Sequence, residues 1–224
     1  MTYETITLTN DGPVAAITLN RPEKANAIDD RMLAELDDCL DAIADDSTAR
    51  VVLIRGTGRG FSGGHDRNAR VAGVDRTDDV VADRQRLQAL LERMLRIWDF
   101  PKPTIAAVHG YCIGAAAQLC GFCDITVVAD DAQIGVASIP TGAGFLAPIW
   151  ALLVGPKRAK QLTLDYGSRI DGRTAVQWGW ANTSVPASEV DRTAMDMAKR
   201  IARAPSDLLL GQKLAINRVV EVQG

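Results

Sequence analysis

Aromatic residues are scarce in this chain of 224 residues: four Trp, three Tyr and four Phe make up 5% of it. A surface that stacks nucleic-acid bases needs more than that. Lys and Arg total 25 against 28 Asp and Glu, a net charge of −3, and the basic residues form no run. That leaves no electrostatic footprint for nucleic acid or for an anionic membrane. Histidine occurs twice and cysteine four times, too few for a disulfide framework in a chain this long. The N-terminal MTYETITLTNDG has no basic region followed by an apolar stretch, so no secretory leader is expected. A reducing, cytoplasmic setting follows. What is present is ordinary globular material, 47% hydrophobic and 24% charged, enough for one domain with a single core.

Three motifs mimic other chemistries. His109, Cys112, Cys120 and Cys123 imitate the spacing of zinc ligands. The surrounding TIAAVHGYCIGAAAQLCGFCDITVV is apolar and small and lacks the polar partners that orient metal ligands, so the cysteines read as small hydrophobes and no metal is expected. The stretch from Pro103 to Cys123 has no charge and is long enough to span a bilayer. The break at Gly110–Gly114 and the strand-like, charged flanks divide it instead into a buried strand and a buried helix, which excludes a membrane span. Gly58-x-Gly60-x-x-Gly63 is formally a dinucleotide fingerprint. No helical period follows its third glycine, and two strand-like runs precede it, so a Rossmann domain is excluded.

Alternation around Asn10-Asp11-Gly12-Pro13 predicts a hairpin of Tyr3–Thr9 and Val14–Leu19. Asp29 or Asp30 can cap a helix from about Arg31 to Ala44, with Met32, Leu33, Leu36, Leu40 and Ile43 on one stripe. Val51–Ile54 reads as a buried strand, 66–83 as a charged, mobile region and Val80–Trp98 as a second helix. Thr104–Val108 and Ile125–Val128 read as strands around a small-residue helix at Gly114–Gly121, with helices dominating beyond them. The pattern is that of an α/β domain with a buried sheet and a helical extension.

Two segments can carry chemistry. One is the Gly-rich loop Gly60-Phe61-Ser62-Gly63-Gly64-His65-Asp66. The other is the turn Gly110-Tyr111-Cys112-Ile113-Gly114 leading into Ala115-Ala116-Ala117-Gln118. Small residues at a helix N-terminus expose N–H groups, and the helix dipole favours negative charge there. Donors from two separate loops are what an oxyanion hole needs. Close helix packing would call for the same small residues.

The order of motifs narrows this. Asn20-Arg21-Pro22-Glu23-Lys24-Ala25-Asn26-Ala27, Phe61-Ser62-Gly63-Gly64-His65-Asp66, Pro103 to Tyr111 with Gly114, and Cys123-Asp124-Ile125 together resemble the crotonase (enoyl-CoA hydratase/isomerase) superfamily. Gly155-Pro156-Lys157-Arg158-Ala159 and Gly179-Trp180-Ala181-Asn182 extend the resemblance from about Ile6 to about Asn217. It implies an α/β spiral of ββα turns at residues 1–185. It also implies a C-terminal helical, trimerisation segment at 186–224, shorter than usual by one or two helices. Trimers or hexamers, an acyl-CoA thioester substrate and no cofactor beyond the substrate's own CoA are implied as well. The backbone N–H groups of His65 and Ala115 match the oxyanion donors. Lys24, Ala25, Gly63, Gly64, His65 and Asp66 match positions that line the nucleotide part of CoA, and Asp124 and His109 match structural positions.

The departures from the family concern proton transfer. Its two catalytic glutamates fall here on Gln118 and Ser138, neither of which accepts a proton at neutral pH. Gln118 can still orient a water or a thioester. Thr141 to Trp150 lacks the usual G-A-G-G-T-Q-R pattern, and His65 replaces a small residue. Three readings follow. The first is hydration or isomerisation of a 2-enoyl-CoA through the two donors. The second is an acyl-CoA binder or carrier without catalysis. The third is another thioester reaction, such as hydrolysis or carbon–carbon cleavage, with His65 as base or nucleophile.

Overall fold

The computed structural model describes residues 2–66, 80–136, 149–165 and 167–223. The chain opens with an antiparallel hairpin of β1 (Ile6–Asp11) and β2 (Val14–Leu19). Asp11 pairs with Val14 across a two-residue loop whose Gly12 has φ of +59°, a conformation such loops require of their first residue. β1 starts three residues later than the alternation predicts, because the N–H groups of Glu4 and Thr5 are spent on Glu35 at 3.0 and 2.8 Å. Tyr3 reaches the same helix, its hydroxyl donating to Asp38 at 2.9 Å.

That helix, α1 (Asp30–Asp45), buries Met32, Leu33, Leu36, Cys39, Leu40 and Ile43 as one stripe. Asp29 is its cap, accepting from the Met32 N–H at 2.9 Å. β3 (Val51–Gly56), α2 (Val80–Trp98) and β4 (Thr104–Val108) follow, then β5 (Tyr111–Ile113), α3 (Ala115–Phe122), β6 (Ile125–Ala129) and β7 (Gln133–Gly135). α4 (Ile149–Val154), α5 (Pro156–Leu164), α6 (Gly172–Trp178), β8 (Thr183–Val185), α7 (Val190–Ile201) and α8 (Ser206–Gln223) complete it.

The main sheet has the order β1-β2-β3-β4-β6-β8, parallel after the first hairpin. β2 and β4 are buried along their whole length, as strands covered on both faces must be. A second, narrower layer runs beside it. There β5 and β7 pair in parallel, and single bridges join Ile28 to His65, Ser62 to Cys112 and Ile134 to Ile170. Each of these strands is too short to show a period in sequence, but together they hold the loops that follow β2, β3 and β4 side by side.

The uncharged stretch 103–123 is β4, β5 and α3, and among the described residues no helix is long and apolar enough to cross a membrane. Gly63 opens no helix; the chain there continues into the bridges of Ser62 and His65. β8 ends at Val185. Beyond it, α7 turns Val190, Ala194 and Ala198 onto β3, β4 and β6, inside the same core. α8 is tied on by polar contacts: Lys213 Nζ meets Asp124 Oδ2 at 2.9 Å, and Asn217 Nδ2 donates to the Trp98 carbonyl at 2.9 Å.

Candidate active site

The loop after β3 lies along β5. The Phe61 N–H donates to the His109 carbonyl at 2.9 Å and the Ser62 N–H to that of Tyr111 at 3.1 Å, while Ile113 donates to the Ser62 carbonyl at 3.1 Å. Gly63 donates to the Ala25 carbonyl at 2.9 Å. Gly64 donates to the Ser62 hydroxyl at 3.1 Å. On the other side, Ile28 donates to the Gly64 carbonyl and Asp66 to that of Ile28, both at 2.8 Å. A parallel bridge of this form uses the groups before and after the central residue. The His65 N–H is therefore turned away from Ile28.

The second candidate segment is the start of α3. The Gly114 N–H is taken by the Gly135 carbonyl at 2.8 Å, and the first bond inside the helix runs from Gln118 N–H to Gly114 at 3.0 Å. The amides of Ala115, Ala116 and Ala117 precede that bond and have no acceptor within the helix. Gly64 joins the two segments. Its φ is +90°, and a methyl group there would lie 2.6 Å from the Ile113 carbonyl oxygen and 3.5 Å from the Ala115 nitrogen. Only glycine allows the loop to come this near the start of α3.

Polar side chains pin the loop from below. Asn26, fully buried with φ of +50°, accepts from the Arg21 N–H at 2.9 Å. Its amide donates to the carbonyls of Thr57, Gly60 and Phe61 at 2.8, 3.1 and 3.1 Å. The Ser62 hydroxyl donates to the Asn26 carbonyl at 2.7 Å. The Arg21 guanidinium pairs with Asp29 at 2.9 Å and Asp66 at 3.0 Å, and donates to the Ala27 carbonyl at 2.6 Å. Asp29 thus caps α1 and anchors the loop at once.

The residues expected at the site fall as follows. His65 and Gln118 are half-buried, and Ala115 is buried at the N-terminus of α3. Gln118 lies one turn beyond Ala115 on the same helix face. Lys24 is exposed at the end of a 3₁₀ turn, and Ala25, next to it, holds Gly63. The Asp66 carboxylate is buried against Arg21. Ser62 spends its hydroxyl on Asn26 and Gly64. Ser138 lies outside the described residues. Asp124 accepts from the Thr104 N–H at 2.7 Å and hydroxyl at 2.9 Å, besides Lys213. The His109 ring sits 3.0 Å from the Gly58 carbonyl.

Arg21 and Asn26 were legible only as parts of a motif; their long-range partners gave no local signal. Cys112 and Cys120 have their sulfurs 3.7 Å apart, and burial raises the thiol pKa of Cys120 and Cys123. No group of three or more His, Cys, Asp or Glu is placed to hold a metal among the described residues.

Residues 9–224 match the family model described as enoyl-CoA hydratase/isomerase. The chain belongs to the enoyl-CoA hydratase/isomerase family. The 1,2-epoxyphenylacetyl-CoA isomerase of Escherichia coli K12 is 36% identical over 215 residues, 91% of this chain and 78% of that protein. The hydroxycinnamoyl-CoA hydratase-lyase of Pseudomonas fluorescens is 26% identical over 223 residues, 98% and 80%. The crystal structure of an enoyl-CoA hydratase/isomerase from Xanthobacter autotrophicus Py2 superposes with a TM-score of 0.90 at 38% identity, covering 100% of this chain and 82% of that one. The α/β crotonase fold expected from the motifs is thereby established for this enoyl-CoA hydratase/isomerase family member.

Proposed function

We propose that this protein binds acyl-CoA thioesters and hydrates or isomerises a 2-enoyl-CoA. The approach of the Gly64–His65 loop to the Ala115 amide carries this reading. A thioester oxygen held between the N–H groups of His65 and Ala115 gains negative charge as an enolate forms. Two preorganised donors at a helix N-terminus stabilise that charge more than they stabilise the ground state. By the family resemblance, the nucleotide part of CoA runs past Lys24, Ala25, Gly63, Gly64, His65 and Asp66. The relatives in hand act on CoA thioesters with different acyl groups, as their names state, which supports the CoA end of the assignment more than the acyl end.

Gln118 occupies the place of one acid/base residue and orients a water or the thioester by hydrogen bonds. An amide takes no proton at neutral pH, and this favours a second reading in which the protein binds acyl-CoA without turning it over. On family grounds we take it to assemble as a homotrimer or a dimer of trimers, which sedimentation equilibrium tests. The deciding experiment follows the conjugated thioester absorbance of short- and long-chain 2-enoyl-CoAs with purified protein. Loss of absorbance that Gly64→Ala abolishes supports the first reading. Saturable acyl-CoA binding with no turnover supports the second, and absence of binding overturns both.

A further inference from the structure

The main sheet ends in β1 on one side and β8 on the other. β8 has three residues and runs into Pro186, and shortness and proline both keep an edge from pairing. β1 has six residues with no Lys or Pro among them. Its register with β2 is unbroken from Ile6 opposite Leu19 to Asp11 opposite Val14, so no bulge turns it away. In an antiparallel pair, alternate residues direct their backbone groups toward the partner strand and away from it. The two-residue loop between Asp11 and Val14 sets the phase, and the Asn20 N–H bond to the Thr5 carbonyl at 2.8 Å agrees with it. Thr7, Thr9 and Asp11 face β2. The N–H and C=O groups of Ile6, Leu8 and Asn10 lie on the open edge, with no partner among the described residues.

A cavity of about 380 Å³ opens between this strand and the end of α1, lined by Tyr3, Leu8, Asn10, Ala42, Ile43 and Asp46. Its lining is apolar at Leu8, Ala42 and Ile43 and acidic at Asp46. The Asp46 carboxylate accepts from the N–H and hydroxyl of Thr48 at 2.8 and 2.7 Å, and Tyr3 donates to a second carboxylate, Asp38. Lys102 acts on Asp46 from nearby, but its ammonium sits on the backbone carbonyls of Ile43 and Asp46. From this geometry we infer that β1 is a docking edge for an extended, basic peptide segment of a partner protein. The segment adds a strand through Ile6, Leu8 and Asn10, places an apolar side chain in the cavity and sets a Lys or Arg against Asp46. A second copy of β1 fits this edge less well: it carries Asp11 and no basic residue, and like charges oppose docking.

The test uses a capped, fluorescein-labelled peptide of alternating Lys and Val, with alternating Glu and Val as the charge-reversed control. Binding to the full chain is read by anisotropy and mapped by amide hydrogen exchange. The Lys-Val peptide binds saturably and slows exchange at Ile6, Leu8 and Asn10, and the Glu-Val peptide does not bind. Asn10→Pro removes one edge donor without touching a bond to β2, and it weakens binding about tenfold. Asp46→Asn keeps an acceptor for Thr48 and weakens binding about threefold. If Asn10→Pro fails to fold, Asp46→Asn and the exchange map carry the test. Binding that leaves those three amides exchanging as before overturns the inference. Equal binding of the two peptides, or binding of neither, does the same. Exchange at these amides that slows on raising protein concentration alone assigns the edge to a second copy and also overturns it.

Discussion

The two backbone segments proposed to supply the donors are built in opposite ways. The His65 loop has no regular structure and is fastened by buried polar side chains: Arg21 to Asp29 and Asp66, Asn26 to three carbonyls, Ser62 to Asn26 and Gly64. The start of α3 has almost no side chains. Ala115, Ala116 and Ala117 leave their amides without an acceptor in the helix simply because the helix begins there. One donor depends on groups that are present, the other on groups that are missing. Deletions should therefore damage the first and additions the second.

The largest effect is expected at Arg21. Its side chain is 10% exposed, and that of its partner Asp66 is 6% exposed. Arg21→Ala leaves that carboxylate buried with its guanidinium gone, a change that costs roughly 3–5 kcal/mol. Urea unfolding measures the loss. A decrease below about 1 kcal/mol would show that the loop does not rely on this pair. Gly64→Ala comes next, at roughly 2–4 kcal/mol, since it combines a left-handed backbone with a methyl group forced against the Ile113 carbonyl. It should also abolish acyl-CoA binding measured by calorimetry, because the loop must withdraw from Ala115. On the helix side, Ala117→Val adds two carbons at a fully buried position and should cost roughly 1–3 kcal/mol. The contrast is sharpened by Ala117→Gly, which deletes a side chain there and should cost only about 1 kcal/mol of helix propensity. If Ala117→Gly proved worse than Ala117→Val, the distinction between the two constructions would fail.

The helix side was also the more legible in sequence. Its small residues follow a glycine-bounded turn, and both the turn and the helix can be read locally, as can the apolar stripe of α1 and the Asp29 cap. β4 was bounded at Thr104 and Val108 as observed. The loop side carried its glycines openly but hid its fastening. Asn26 meets Thr57, Gly60 and Phe61 more than thirty residues away, and no local period encodes such contacts. Strands β5, β7 and β8 have three residues each, too few for alternation to show. Lys213 and Asn217 did leave a trace: they are polar, four apart, in a helix whose Leu208, Leu214, Ile216, Val219 and Val222 are exposed. That reversal of the usual pattern marks the stripe by which α8 meets Asp124 and Trp98.

A third joint, outside the site, tests whether polar fastening of the loop type matters elsewhere. Glu35 on α1 holds the N-terminal segment through the hydroxyl of Thr5 and the amides of Glu4 and Thr5. Burial by itself would raise its pKa, but the Thr5 hydroxyl, those two amides and Arg31 together bring it from 4.5 down to about 2. Because the folded-state value is the lower one, the carboxylate contributes stability above pH 4.5, and that contribution is lost as the pH falls toward 2. Glu35→Gln keeps the shape without the charge. Its Tm should lie a few degrees below wild type at pH 6, with the gap constant above about pH 5.5 and closing as both proteins are taken to acid. A gap that persists unchanged to pH 2 would assign the stabilisation to packing of the side chain. The comparison with Arg21 would then stand on its own, with buried polar fastening confined to the loop that carries His65.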